Sequence, residues 1–255
     1  MSSTPGVSGM PGASSTPGPI GILCALPQEQ ELLVAALGDP PPLPGTRLDA
    51  RLGRLDGRDV VVATSGVGKV KAAGTATSLV ERLGCRALVL SGVAGGLGEE
   101  LEIGDLVIAD RVIDIDYGRL TDAGRVIYQP GALPLPELRP EPGYRLPESL
   151  LDRVLERVEA SELTATLGTV LSGDAFLASP RVRDELATEW DALAIEMEGS
   201  AVCGVAERFG LPWLVVRALS DRAGEESVED FAAFVASAAA SSAQLVRELL
   251  PIFDE

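Results

Sequence analysis

The sequence of 255 residues contains no histidine, and this absence excludes several kinds of site. Ser-His-Asp and Cys-His catalytic groups need an imidazole as their base, and many metal sites use imidazole nitrogens as ligands. Acid–base chemistry near neutral pH therefore falls to Asp, Glu, Tyr, Lys, Cys or water. The Cys, Asp and Glu residues do not have the spacing of a metal site either, so we expect neither a metal ion nor a cofactor.

Basic residues are scarce. The 21 Lys and Arg face 38 Asp and Glu, which gives a net charge of -17. Such a surface repels nucleic acids and anionic membranes, because phosphate binding needs clustered cations. Apolar runs are also short, and none reaches the length of a membrane span. We therefore expect neither a nucleic acid nor a membrane as partner.

The three cysteines, Cys24, Cys85 and Cys203, are an odd number at wide spacing. This pattern is typical of reduced core thiols in a cytosolic protein and not of a disulfide framework. The first ten residues, MSSTPGVSGM, contain neither the basic nor the apolar segment of a secretory signal. We therefore expect a cytoplasmic protein.

Composition divides the chain into two parts. Residues 1–18 are mostly Ser, Thr, Pro and Gly, and they have too little apolar surface to fold. They predict a disordered low-complexity tail. Residues 19–255 predict one folded domain, because 46% of the chain is hydrophobic, which is enough for a sizeable core.

Within this domain, apolar runs typical of buried strands alternate with segments of helical periodicity. The alternation predicts an α/β fold, a single three-layer α/β/α domain with a central mixed sheet. Segments 47–55 and 59–65 flank Asp56-Gly57 and predict a hairpin. The proline-rich stretch 129–147 predicts a loop. The other strands are expected at 20–25, 87–90, 105–115, 165–171, 192–195 and 213–219, and helices at 29–37, 70–83, 199–209 and 228–250.

Two glycine-rich segments invite a nucleotide-binding interpretation and fail it. Gly66-Val67-Gly68-Lys69 resembles the end of a phosphate loop, but Ala63 stands where the first glycine is needed, and Val70 replaces the Ser or Thr. The segment 92–98 does not match the dinucleotide fingerprint, because Leu101 occupies the third glycine position when the count starts at Gly96.

Polar residues follow several of the predicted strands. In open α/β sheets, ligands bind beyond the carboxyl ends of the strands, so these residues are the candidates for a site. The segments at these places are Glu29, a glycine-rich turn at Ser91–Gly96, Ser172–Phe176, Glu196–Glu198 and Ser220–Asp221.

Arg217 lies inside the last predicted strand, which is otherwise largely apolar. Arg217 and Asp221 are four residues apart, and side chains alternate between the two faces of a strand. Both side chains are therefore expected on the same face of the sheet. An unpaired buried guanidinium is costly, and Asp221 is its expected partner.

Such a set of acids suits cleavage of a glycosidic bond. The transition state resembles an oxocarbenium ion, which nearby carboxylates stabilise; the leaving base needs a proton, and the attacking water needs a base. From the strand ends alone, the residues predict only a ligand site rich in acids.

Taken together and in order, the motifs resemble the nucleoside phosphorylase superfamily, and most closely its methylthioadenosine/S-adenosylhomocysteine nucleosidases. They run in the order of that family over nearly the whole chain, apart from the tail and the proline-rich loop. The matching pieces are Ile20 to Glu29, Ser65 to Val70, Ala94 to Leu97, Gly104-Asp105, Ser172 to Phe176, Glu196 to Glu198 and Val216 to Asp221.

The resemblance implies an enzyme that hydrolyses an adenine nucleoside, with Glu29 and Asp221 as catalytic residues. Glu29 matches the glutamate that activates water. Asp221 matches the aspartate that delivers a proton to purine N7 and recognises the 6-amino group. Glu198 and Met197 match the ribose contacts, with Glu198 holding the 2' and 3' hydroxyls.

The remaining expected contacts are with the base and the 5' substituent. Phe176 matches the ring stacked on adenine, and the backbone of Leu177 the contact to the adenine edge. Leu26, Val67 and Phe231 match the apolar wall around the 5'-thio group. Arg217 and Glu196 complete the expected substrate-binding set, although Glu196 can equally be a purely structural residue.

Two features concern the choice between water and phosphate. Related phosphorylases hold phosphate with Gly and Arg in the first loop, whereas the loop here, 26–31, contains no basic residue. The nucleosidases carry Ser or Thr where this chain has Val93, which removes a hydroxyl that helps to order the water and Arg217.

The resemblance leaves alternatives open. A sister nucleosidase for aminodeoxyfutalosine-like or adenosylhopane-like substrates, a purine nucleoside phosphorylase and a non-catalytic nucleoside sensor share the fold. The family also implies a homodimer whose interface lies near the 5' pocket.

Overall fold

The computed structural model describes residues 17–98, 100–133, 135–138 and 140–254, and its central feature is a mixed sheet of nine strands. Residues 1–16 of the predicted tail lie outside the described part of the chain. The strands are β1 (Ile20–Cys24), β2 (Asp49–Leu55), β3 (Arg58–Thr64), β4 (Ala87–Gly96), β5 (Leu106–Asp114), β6 (Gly118–Thr121), β7 (Gly124–Ile127), β8 (Tyr144–Arg145), β9 (Ala165–Ser172), β10 (Ala192–Glu196) and β11 (Trp213–Asp221). The helices are α1 (Pro27–Ala36), α2 (Lys69–Leu83), α3 (Glu148–Ala160), α4 (Pro180–Trp190), α5 (Gly199–Phe209) and α6 (Ser227–Leu249), with short 3-10 turns at Pro136–Leu138 and Leu250–Phe253.

The most apolar strands lie in the middle of the sheet. Strands β1, β4 and β11 are adjacent and parallel, and nearly all their residues are buried. Burial on both faces explains why they are continuous apolar runs without alternation. Helices α1 and α6 pack together, as do α2 and α5, and they cover the sheet.

Part of the sheet closes on itself. The strand order is β10-β9-β5-β11-β4-β1-β3-β2, the ninth strand, β8, pairs with β5, and β10 also pairs antiparallel with β4 at Gly95 and Gly96; β6 and β7 form a separate hairpin. Five strands, β4, β11, β5, β9 and β10, therefore form a closed ring. This closure brings the end of β10 next to the ends of β4 and β11, where the predicted site residues lie.

Most predicted elements are confirmed, including the antiparallel hairpin of β2 and β3 and the long final helix. One prediction is wrong: the expected turn at Ser91–Gly96 is the second half of strand β4. Its glycines pair with both β10 and β11, so the segment is extended and buried. Helices α3 and α4 and the exposed hairpin of β6 and β7 were not predicted.

The three cysteines are unpaired and buried, as expected for core thiols. Within the described part of the chain, no helix combines the length and the apolar character that crossing a membrane requires.

Candidate active site

A cavity of about 390 Å³ opens at the carboxyl ends of the central strands. Of the eleven residues predicted for the site, all but Arg217 line it. They are Leu26, Glu29, Val67, Phe176, Leu177, Glu196, Met197, Glu198, Asp221 and Phe231. The lining residues that were not assigned a role are mostly small or apolar, although several of them belong to the motifs above: Ala25, Val93, Ala94, Gly95, Ala175, Ile195, Ser220 and Val228.

Glu29 lies in the first turn of α1 with 2% of its surface exposed. Its Oε2 accepts hydrogen bonds from the amides of Ala25 and Leu26 at 2.6 and 2.8 Å, and its Oε1 accepts one from the amide of Val93 at 3.0 Å. A carboxylate has about four acceptor positions, so these bonds leave about one for a ligand. Burial raises the pKa of Glu29, while Arg217 and the three amides oppose the rise.

Arg217 is fully buried behind the cavity, and its partners differ from the prediction. Its Nη2 donates to Oε2 of Glu196 and, at 3.2 Å, to Oε2 of Glu198. The expected pair with Asp221 is wrong, because the register of β11 against β4 shifts between Leu219 and Asp221. This bulge inserts one residue and removes the common face that strict alternation would give. Nε and Nη1 of Arg217 have no hydrogen-bond partner among the described residues.

Glu196 and Glu198 frame the start of α5. The carboxylate of Glu196 accepts hydrogen bonds from the amides of Glu198 at 3.0 Å and Gly199 at 2.8 Å, besides its ion pair with Arg217. It therefore holds the helix N-terminus and the guanidinium at once. Glu198 accepts from the Gly68 amide at 2.8 Å. Burial raises the pKa of Glu198, and Glu196 and Glu29 add to the rise against the opposing effect of Arg217.

Gly92 lies where a side chain would separate Glu29 from Arg217. A Cβ at this position would be 2.4 Å from Arg217 Nη1 and 2.4 Å from Glu29 Oε1. No real Cβ approaches heavy atoms so closely, so only glycine lets the carboxylate and the guanidinium share this face of β4.

Asp221 ends strand β11 and is 2% exposed. Its Oδ1 accepts from the Ala223 amide at 2.8 Å, and its Oδ2 lies 3.0 Å from the Ser220 hydroxyl. Burial raises the pKa of Asp221, with the Ala223 amide and the Ser220 and Ser227 hydroxyls opposing it. The carboxyl group therefore holds a proton to higher pH than a free aspartate does.

Comparison with known proteins agrees with this arrangement. Residues 19–251 match the family model of the phosphorylase superfamily. The 5'-methylthioadenosine/S-adenosylhomocysteine nucleosidase of Mycobacterium bovis is 43% identical over 247 residues, which cover 91% of this chain and 97% of that protein. This chain belongs to that nucleosidase family.

Solved structures of the superfamily share the fold. The S-adenosylhomocysteine nucleosidase of Streptococcus pyogenes, in complex with 5-methylthiotubericidin, superposes with a TM-score of 0.82 at 30% identity and covers 95% of this chain and 99% of that one. The futalosine hydrolase of Helicobacter pylori gives a TM-score of 0.81 at 30% identity, with coverage of 93% and 99%. The predicted nucleoside phosphorylase-like fold is thus confirmed.

Apolar side chains surround the mouth of the cavity in this member of the nucleosidase family. The rings of Phe176 and Phe231 meet edge to face, with centroids 6.0 Å apart and planes at 84°. Phe176, Val67 and Val228 are exposed although they line the cavity. The site therefore combines an acidic interior with an apolar entrance.

Proposed function

We propose that the chain hydrolyses the N-glycosidic bond of 5'-methylthioadenosine and S-adenosylhomocysteine and releases adenine and the thioribose product. The supporting observation is the cavity itself, which places Glu29, Glu198 and Asp221 among apolar walls without a Lys or Arg in its described lining. Membership of the nucleosidase family supports the same activity.

In this proposal, Glu29 activates the water. Three amides hold the carboxylate in one orientation, so its remaining acceptor position faces a constant direction. As the glycosidic bond breaks, the sugar gains positive charge, and the buried acids stabilise that charge in a medium of low dielectric constant. Glu198 holds the 2' and 3' hydroxyls of the ribose, with Met197 beside the ring.

The leaving base is proposed to lie between the end of β11 and the loop after β9. Asp221 donates a proton to N7 and accepts a hydrogen bond from the 6-amino group, while Phe176 stacks on the purine and the Leu177 backbone contacts its edge. A protonated Asp221 suits this role because burial raises its pKa. The base then leaves as neutral adenine.

The 5'-thio group is proposed to occupy the apolar part of the cavity formed by Leu26, Val67 and Phe231. A thioether makes no hydrogen bond that would require a polar partner there. Val228 adds to the same wall. A second substrate class, of the futalosine type, is kept as an alternative, because the futalosine hydrolase of Helicobacter pylori has a closely similar structure.

Water rather than phosphate is the expected nucleophile. Arg217 pairs with Glu196 and Glu198 through Nη2 and does not line the cavity, and a phosphate near Glu29 would meet a second negative charge. Val93 offers no hydroxyl to such an anion. Incubation with 5'-methylthioadenosine is expected to release adenine and methylthioribose at the same rate with and without phosphate.

The same assay separates the alternatives. A sugar 1-phosphate formed only when phosphate is added would identify a phosphorylase. Binding without release of adenine would identify a sensor. A much higher rate with an aminodeoxyfutalosine-like substrate, offered in parallel, would identify the sister nucleosidase.

We also propose a cytoplasmic homodimer with its interface near the 5' pocket. The three buried free cysteines suit a reducing compartment. Val67 and Val228 are exposed apolar residues of the cavity lining, Val70 is exposed in the first turn of α2, and a second subunit would cover them. Light scattering is expected to give about twice the monomer mass of 26.5 kDa. A fully active monomer would contradict the proposed dimer.

A further inference from the structure

Lys69 is a largely buried cation next to the site, and the proposed reaction gives it no role. It is the first residue of α2 and follows Gly68. Its side chain is 15% exposed and extends to the end of β5, where its Nζ lies 2.8 Å from Asp114 Oδ1 and 2.8 Å from Asp116 Oδ2.

The same residue is also held through its backbone. The Lys69 amide donates to Asp174 Oδ1 at 2.9 Å, and the Asp174 amide donates to Asp116 Oδ2 at 2.6 Å. The segments after β5 and β9 and the N-terminus of α2 therefore form one hydrogen-bonded unit. Asp114 extends the unit to α5, because its Oδ2 accepts from the Ser200 hydroxyl at 3.0 Å.

This unit contacts the site at Glu198. The Gly68 amide, one residue before Lys69, donates to Glu198 Oε1 at 2.8 Å, while Oε2 faces Arg217. Gly68 has a φ of +99°, a conformation that favours glycine, and it is the N-cap of α2, so the position of its amide is linked to how the start of that helix is held. The N-terminus of a helix also favours a carboxylate charge.

We propose that Lys69 is a positioning residue for the ribose: its ammonium group, bridging Asp114 and Asp116, orients the start of α2 so that the Gly68 amide aims Glu198 at the ribose hydroxyls. The proposal rests on the proposed function and deepens it. Lys69 acts through Glu198 and does not itself line the cavity.

The charges of the unit explain why the ammonium group matters. Without it, Asp116 would still have Arg125, whose Nη1 lies 3.1 Å from its Oδ1, but Asp114 would lose the ammonium group that pairs with it, and the side chain of Asp114 is only 10% exposed. A buried carboxylate without a cation is costly, and Asp116 nearby adds repulsion, so the segment is expected to rearrange. A shift of about 1 Å in Glu198 is sufficient to lower turnover on the order of a hundredfold.

The test compares Lys69→Met with Lys71→Met, using 5'-methylthioadenosine and its 2'-deoxy analogue. Lys71 lies on the exposed surface two residues along the same helix, so its change removes the same charge without touching the unit. For Lys69→Met, kcat/KM is expected to fall roughly ten- to a hundredfold with the ribonucleoside and by much less with the 2'-deoxy analogue. Lys71→Met should match the wild type on both.

The decisive quantity is the ratio of kcat/KM for the ribonucleoside to kcat/KM for the 2'-deoxy analogue, which Lys69→Met should lower. An equal loss on both would overturn the proposal, because it would indicate a structural role unrelated to the ribose hydroxyls, and so would unchanged kinetics. Lys69→Arg, which keeps the charge, should restore most of the discrimination. If Lys69→Met does not fold, Asp116→Asn serves instead, since it weakens the bridge at its more exposed carboxylate.

The wild-type enzyme tests the two proposals separately. If it releases no adenine from either nucleoside, the proposed function fails. If it is active and prefers the ribonucleoside, while Lys69→Met keeps the same preference, only the role of Lys69 fails.

Discussion

Replacing Glu29 with Gln is expected to abolish hydrolysis while nucleoside binding remains close to that of the wild type. Loss of a general base typically lowers turnover by roughly 10²–10⁴-fold. Gln keeps the shape, but its amide nitrogen cannot accept a hydrogen bond, so the amides of Ala25, Leu26 and Val93 lose at least one acceptor. A moderate decrease in melting temperature should accompany the loss of activity.

Adenine release and calorimetric binding of 5'-methylthioadenosine measure the two effects. Glu31→Gln is the matched control, because Glu31 is exposed on the same helix and should keep full activity. Turnover of Glu29→Gln near the wild-type rate would disprove the water-activating role. In the wild type, the base acts in its ionised form and burial raises its pKa, so activity should be lost as the pH falls through this raised pKa.

Asp221 is expected to make the enzyme select 6-amino over 6-oxo purines. A 6-amino group donates a hydrogen bond that a carboxyl oxygen accepts, whereas a 6-oxo group brings only lone pairs. Asp221→Asn keeps the shape but has no transferable proton. The substitution should therefore lower turnover roughly a hundredfold or more and weaken substrate binding far less.

The measurement compares adenosine-type and inosine-type 5'-thio nucleosides with the wild type and with Asp221→Asn. Equal wild-type rates on both bases would refute the selectivity, and an unimpaired Asp221→Asn would refute the proton transfer. Because burial raises the pKa of Asp221, the protonated form persists above the range of a free aspartate, and activity should decrease as the pH rises through that pKa.

The sequence predicted the central strands well because both of their faces are apolar, and it predicted other elements well because clear turn residues bound them. The hairpin at Asp56-Gly57 and helix α5 are examples. Helix α3 was missed although Leu150 and Val154 are one helical turn apart and both buried; two apolar anchors in a charged segment are a weak signal.

The acids of the site were predictable because each lies at or shortly after the end of a strand, but their pairing was not. A β-bulge at Ser220 decides that Arg217 contacts Glu196 and Glu198, and no local pattern distinguishes a bulged strand from a regular one. Lys69 belonged to a motif that fails as a phosphate loop, and its acidic partners are more than forty residues away in the sequence.

Gly92 has a consequence for how this sequence can vary. It does not line the cavity, yet any larger residue would occupy the space between Glu29 and Arg217. In a library selected for adenine release, glycine at position 92 should persist as strictly as the catalytic glutamate. In an alignment, such an invariant glycine would reflect the lack of space for a side chain and not a part in the reaction. A search for catalytic residues based on invariance alone would therefore assign Gly92 a catalytic role that it does not have.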